Sequence, residues 1–252
     1  GGGDRAMHSE VVDLILAAGE MLLTSGAEVY RTEETMERMG KALGYSVEAY
    51  VTPTGIFLTV GKDQEFLTRI RRIHYRTEDL GRIAGVNAIS RELAKGDLTL
   101  QEASQRIKDL RGLSYTTFQR VLAVMVASVS FTFILGGRQM ELIVAAIAGL
   151  IAFSVTKVLE HFNANYYLSG IASSFLVANY VYLAQYFFPE ISTPLVLVGG
   201  LMVLVPGVAI ASAVRDIVQG ELLSGTSRAA EALAIAAALA AGSALALGLW
   251  SW

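Results

Sequence analysis

The 252-residue sequence contains no cysteine, which excludes disulfide staples, thiolate zinc sites, iron–sulfur clusters and thiol catalysis. Histidine is almost as scarce. His8, His74 and His161 are the only three, which nearly excludes imidazole metal sites, and neither a metal nor a cofactor is expected. Charge is missing from the second half: residues 1–120 carry 33 charged side chains and residues 121–252 only 10. Both halves are close to neutral, which removes the electrostatic footprint that nucleic-acid binding requires. The phosphate-cradling spacing of an ATP-driven pump is absent too. Gly55 and Gly61-Lys62 are separated by five residues, with Asp63 where Ser or Thr belongs, and they sit in a hairpin rather than before a helix. No His-Glu-x-x-His, Gly-x-Ser-x-Gly or Gly-x-Gly-x-x-Gly pattern occurs, so an enzyme is not expected.

What remains is apolar: 53% of residues are hydrophobic and the mean hydropathy is +0.48. A bilayer core of about 30 Å needs about 20 apolar helical residues. The stretches between ionisable side chains in the second half are 17, 15, 28, 24 and 21 residues long. The spacing predicts a membrane α-helical bundle of five transmembrane helices, at about 118–137, 140–158, 164–188, 192–213 and 229–250, within a domain 116–252. The 15-residue gap is short for a span, so its helix should carry Lys157, or even Glu160, to the membrane edge or into it. Lys157, Arg215 and Arg228 would lie on one side and Arg138 on the other. The positive-inside bias then puts the N-terminal domain in the cytoplasm and the C-terminus outside.

Residues 9–115 read as a cytoplasmic α+β domain after a tag-like, disordered stretch 1–8 in which Gly1 to Gly3 resemble a cloning scar. Apolar residues from Val12 to Leu22 recur at helical spacing as far as Gly26, and a second helix spans 28–43. Alternation then predicts strands over 45–51, 56–60 and 65–73, with turns at Pro53-Thr54-Gly55 and Gly61-Lys62-Asp63. A helix should follow from Leu80 to Gly96, and Thr99 with Glu102 forms a capping box opening another that runs to about Arg111.

Several constellations could carry chemistry. Lys157, Glu160 and His161 fall at i, i+3 and i+4, as a proton path or as an interfacial cluster whose charges reach the headgroups. Gly199-Gly200 and Pro206-Gly207 interrupt the fourth span, which should bend or break near Pro206. A half-helix beginning at Pro206 and Gly207 would aim its positive end at a substrate carboxylate; otherwise the break is a packing kink. Arg215-Asp216 directly follow, as a boundary pair or an inner gate. Ser173 and Asn179, among the polar residues of the third span, line a path or bond neighbouring helices. Ala232, Ala236, Ala240, Ala244 and Gly248 make a small-residue packing face, and Trp250 with Trp252 suit the membrane interface. The basic run Arg69, Arg71, Arg72, Arg76 and Arg82 is a solvated or headgroup-contacting face, or a lure for an anionic substrate.

The stretch Ser25-Gly26-Ala27-Glu28-Val29-Tyr30-Arg31-Thr32-Glu33, with Gly26, Arg31 and Glu33 as its core, resembles a signature of the threonine/serine exporter family. Val51-Thr52-Pro53-Thr54-Gly55-Ile56, with Pro53 and Gly55 at its turn, is similar to that family's strand turn. Val205-Pro206-Gly207, then Arg215-Asp216, Gly220, Gly225, Arg228 and Glu231, resemble its fourth-span pattern. The resemblance is to the large subunit of the split form, as in two-subunit succinate exporters. It implies a proton-coupled secondary exporter of small carboxylate-bearing solutes in the inner membrane, with a small separate membrane subunit as partner and a homo- or hetero-oligomeric assembly. The alternatives are a membrane-anchored hydrolase using Arg31, Glu33 and Glu34, and a non-transporting assembly or regulatory subunit built on the alanine face.

Overall fold

A computed structural model describes residues 2–251; Gly1 and Trp252, the latter a candidate for the interface belt, lie outside the described residues. The chain divides into two compact units, residues 1–114 with 208–229, and residues 115–207 with 230–252. The second stretch of the first unit differs from the sequence expectation, which placed everything after 115 in one transmembrane domain.

The first unit is built around α1 (Gly2–Thr24). Its Val11, Val12, Leu14, Ile15, Leu16, Ala18, Leu22 and Leu23 are all buried, so apolar contacts surround the helix on nearly every side. The expected disordered stretch 1–8 is corrected here, because α1 begins at Gly2 and His8 is buried. His8 lies one turn before Val11 and Val12, on the same inward face. Its Nε2 donates to the Val60 carbonyl at 3.0 Å and its ring packs on Tyr45, so the polar group is satisfied inside. α1 stops at Gly26, whose φ of +90° closes a left-handed cap, with Ala27 N–H donating to the Leu22 carbonyl. A side chain at Gly26 would also meet the Thr77 carbonyl at 2.9 Å.

α2 (Val29–Ala42) buries Val29, Thr32, Met36 and Met39, one face at helical spacing. It leads into an antiparallel meander β1 (Ser46–Thr52), β2 (Gly55–Lys62) and β3 (Glu65–Arg72). Val51, Ile56, Leu58 and Val60 enter the same core as α1 and α2. The second hairpin turns at Asp63 and Gln64 rather than at Gly61, because both have positive φ, 48° and 69°, as a two-residue type I′ turn demands. Gly61 instead stays in β2, opposite Phe66, whose ring occupies the space a side chain would need. α3 (Leu80–Lys95) starts on the Asp79 carboxylate and ends at Gly96, and α4 (Leu100–Asp109) carries the expected Thr99–Glu102 capping box. In the basic run, Arg71 pairs with Glu20 and Arg82 with Asp79.

The second unit holds α5 (Thr117–Ile134), α6 (Gln139–His161), α7 (Tyr166–Phe187), α8 (Thr193–Leu201) with a 3-10 turn at Met202–Leu204, and the body of α10 (Leu222–Trp250). α5, α6, α7 and α10 are each long and apolar enough to cross a membrane; α8 with α9 (Gly207–Val218) is a bent pair that makes a fifth candidate if it counts as one span. Large side chains such as Phe118, Phe133, Ile134 and Leu233 stand exposed, the expected surface of helices solvated by lipid. Helices approach through small residues. A side chain at Gly149 would collide with Ser128, one at Gly199 with Thr132, and one at Gly200 with Ala148.

One carboxylate organises an end of this bundle. Glu141, buried on the first turn of α6, accepts from Arg138 N–H with one oxygen and from Ser192 N–H, at 2.7 Å, with the other. It thereby satisfies orphan donors at the starts of both α6 and α8. Glu141→Ala should destabilise the chain by about 1–4 kcal/mol, since one cap is worth about 0.5–2 kcal/mol, read as thermal unfolding in detergent micelles. A loss no larger than that of Glu190→Ala would sink this assignment.

Candidate functional site

The fourth-span region breaks where proline demands it. Val205 is extended, with φ −70° and ψ 130°, because the following proline ring disfavours the helical region. α9 then starts at Gly207, where an added Cβ would meet nothing within 4 Å. The other membrane candidates are more fully committed. Ser173 is buried and its hydroxyl bonds that of Thr156 at 3.1 Å, joining α7 to α6. Asn179 donates to the Phe175 carbonyl and accepts from Trp250 Nε1 at 3.0 Å, joining α7 to α10. Lys157 and Glu160 pair with each other while about half exposed, and His161 is the last residue of α6. That is the arrangement of an interfacial cluster at a helix end.

The small-residue face of α10 differs from the expected one. Ile235, Ala238, Leu239, Gly242 and Ala246 are buried, whereas Ala236, Ala240, Ala244 and Gly248 are exposed and only Ala232 of the expected set is inside. The four-residue stripe drifts around a helix of 3.6 residues per turn, so one straight partner cannot contact all of it.

The densest polar constellation lies in the first unit and joins two of the motifs quoted from the sequence. The α1–α2 turn brings Ala27, Glu28 and the first N–H of α2 to the segment 215–228. Asp216, with no exposure at all, accepts from Val29 N–H at 3.2 Å and lies 3.3 Å from Arg228 Nε. Arg228, also buried, donates through Nη2 to the Ala27 carbonyl at 2.7 Å. Glu28 opens α2 without capping it, because its carboxylate takes Arg215 Nη1 at 2.6 Å. Asp216 supplies from another element the negative charge that the helix N-terminus favours. The chain turns sharply after α9 at Gly220 and packs α10 close against it: a side chain at Gly225 would meet Ile217 and the Ala213 carbonyl.

The two ion pairs are unequal. Arg215 is 62% exposed, so its pair with Glu28 is worth little by itself, whereas Asp216 and Arg228 depend on one another for compensation. Burial opposes ionisation of Glu28, yet the Arg215 guanidinium, its own backbone N–H and the charge of Arg31 together hold its carboxyl below the usual range. Glu33, one turn further along α2, moves the other way. Burial, reinforced by the charges of Glu221, Glu37 and Asp216 and only partly opposed by the Val51 N–H, raises it to about 7. That N–H donates to Glu33 Oε1 at 2.7 Å.

The residues of the hydrolase alternative do not converge. Arg31 is exposed, Glu34 pairs with Arg38 on the surface, and Glu33 faces β1. Pro53 and Gly55 are buried at the β1–β2 turn, where Gly55 faces the Arg71 carbonyl. Among the described residues no group of three or more His, Asp or Glu is placed to hold a metal ion. The sequence places Glu28 and Arg228 inside motifs, and Arg228 among the charges that set the topology, without assigning either to a site. The signal was present in Arg228, an arginine beside an apolar run, which needs a carboxylate if it is to be buried.

The family model described as "Putative threonine/serine exporter" matches residues 13–250. The chain is 27% identical over 250 residues to a "Probable succinate transporter subunit YjjP" of Klebsiella aerogenes, covering 98% of this chain and 96% of that one. It is 26% identical to the protein of the same name from Escherichia coli K12, covering 95% and 94%. A "Probable threonine/serine exporter" of Mycobacterium tuberculosis is 22% identical over 96% of this chain but only 46% of its own length. No solved structure matches. The match across both units, from the α1–α2 turn to the end of α10, shows that the chain belongs to the threonine/serine exporter family.

Proposed function

We propose that this chain is one subunit of a proton-coupled secondary exporter that moves small carboxylate-bearing metabolites, threonine and serine or dicarboxylates such as succinate, across the inner membrane. The observation that carries the reading is the break at Pro206–Gly207 in a chain of this family. An interrupted apolar helix presents the positive end of a half-helix where an unbroken span would not. With Ser173 and Asn179 already bonded within the bundle, the substrate carboxylate falls to the Gly207 end of α9. Counting the bent pair as one span gives five spans, with the N-terminal residues cytoplasmic and the C-terminus outside, as the distribution of Lys157, Arg215, Arg228 and Arg138 favours. Arg215 and Asp216, at the far end of α9, act as the inner gate.

A small separate membrane subunit completes the exporter. Two relatives are named as subunits, and the mycobacterial one is about twice as long as the part this chain matches. Proteoliposomes holding this chain and its small partner should therefore exchange labelled threonine or labelled succinate, and vesicles with either chain alone should not. An intact complex that exchanges neither solute would overturn the reading.

A further inference from the structure

We propose that the uncovered face of the three-stranded sheet is a two-fold interface, where two copies of this chain meet through Tyr50, Phe57 and Ile70. The inference concerns assembly and holds whether or not the exporter reading does.

Period two divides the sheet. Ile56, Leu58 and Val60 of β2 point into the core of the first unit, so Phe57 and its cross-strand neighbours point the other way. Register puts Tyr50, Phe57 and Ile70 side by side in one row across β1, β2 and β3. They are 54%, 44% and 66% exposed, and the ring centroids of Tyr50 and Phe57 lie 6.1 Å apart. In the next row the hydroxyls of Thr59 and Thr68 bond each other at 3.0 Å, so that part of the face keeps a hydrogen bond when water leaves. Three large apolar side chains uncovered in one row make a patch of the kind that marks an interaction site.

The charges on the face say what covers it. By the same alternation the three strands present two charged residues outward, Glu48 on β1 and Arg72 on β3. Both are exposed, and among the described residues no ion pair includes either. Glu48 shares the row of Thr59, and Arg72 the row of Gly55. They therefore occupy opposite corners, each a diagonal neighbour of Phe57 at about 7–8 Å, symmetric about that residue and too far apart to pair within one chain. A second copy laid face to face, on a two-fold axis that passes through Phe57 and runs across the line joining the corners, sets Glu48 of each copy over Arg72 of the other. One self-complementary contact thereby buries the apolar row and closes two ion pairs.

Other occupants fit less well. An anionic lipid surface would attract Arg72 and repel Glu48, and Arg69 and Arg71 belong to the opposite face of β3, where Arg71 pairs with Glu20. The free edge of β3 carries Arg69, Arg71 and Arg72, the kind of charge that keeps strand edges from pairing. A face of three strands with seven or eight residues each is in the small, transient class of interface, so it acts between chains already confined to one membrane.

The test uses the full chain in lipid bilayers. Because the sequence has no cysteine, Thr68→Cys puts a single thiol on the face, and Lys95→Cys, exposed at the end of α3, puts one away from it. A short bismaleimide should join two copies through Thr68→Cys well above the collisional yield of Lys95→Cys. In the Thr68→Cys background, Glu48→Arg or Arg72→Glu should each lower the yield by about fivefold or more, since each brings like charges together twice. Glu48→Arg combined with Arg72→Glu should restore it to within about twofold, which variants that merely failed to fold would not do. Equal yields from the two thiols, single reversals without effect, or a double variant no better than the singles each overturn the inference. So does a fluorophore on Thr68→Cys that brominated lipids quench, which assigns the face to the bilayer, or a cross-link to another membrane subunit in place of a second copy.

Discussion

Asp216→Ala is expected to cost the first unit about 3–5 kcal/mol, the range for removing one partner of a buried ion pair. Three losses coincide. The Arg228 charge stays buried without its carboxylate, the first N–H of α2 loses its acceptor, and the negative charge at that helix N-terminus disappears. Arg215→Ala should cost less than about 1 kcal/mol, because the Glu28 pair is open to water on the arginine side. The double variant Asp216→Ala with Arg228→Met removes both charges and should recover much of the loss, as buried pairs replaced by apolar groups generally do. A chain of two units does not guarantee a single unfolding transition, so the measurement is amide hydrogen exchange over residues 27–33 in detergent micelles. Protection there should collapse in Asp216→Ala and largely return in the double variant. Equal effects of Asp216→Ala and Arg215→Ala would sink the assignment of the buried pair as the one that holds this site together.

Legibility in the sequence followed the range of the interaction. The Thr99–Glu102 capping box, the stop at Gly26 and the meander between Ser46 and Arg72 each depend on residues a few positions apart, and each formed as expected. The break at Pro206 was equally readable, because a proline ring acts on its own neighbours. Register slipped where two local signals competed: Gly61 looks like turn residue but fills the gap under Phe66. The helical start of α1 was missed because glycines argue against helix locally, whereas buried His8 supplies a tertiary anchor no window of sequence displays. The site was legible only as two motifs. That Glu28 and Asp216 each sit 187 residues from the partners that hold them, Arg215 and Val29, is a property of the fold alone.

Which side of α10 carries the packing is the other large prediction, and a single glycine decides it. Gly242 belongs to no part of the four-residue alanine stripe, yet a side chain there would run into the Ile171 carbonyl and the Ser174 hydroxyl. A rotating hydroxyl can give way, but a backbone carbonyl inside α7 cannot without moving the helix. Gly242→Ala should therefore destabilise the second unit by about 1–3 kcal/mol, the usual cost of overpacking, and Gly242→Leu by more. Gly248→Ala, on the expected stripe, meets nothing within 4 Å and should change stability by less than about 0.5 kcal/mol, as open positions do. Thermal unfolding of the chain in micelles, followed by helical circular dichroism, compares the three. Displacing α7 from α10 would also pull Asn179 from Trp250, so Gly242→Leu should change tryptophan emission and Gly248→Ala should leave it as it is. If Gly248→Ala proved the costlier substitution, the stripe read from the sequence would be the buried face, and the approach of α7 to Gly242 would have to be abandoned. The opposite ranking leaves Ala236, Ala240, Ala244 and Gly248 on the outside of the chain, where small side chains let another helix come close.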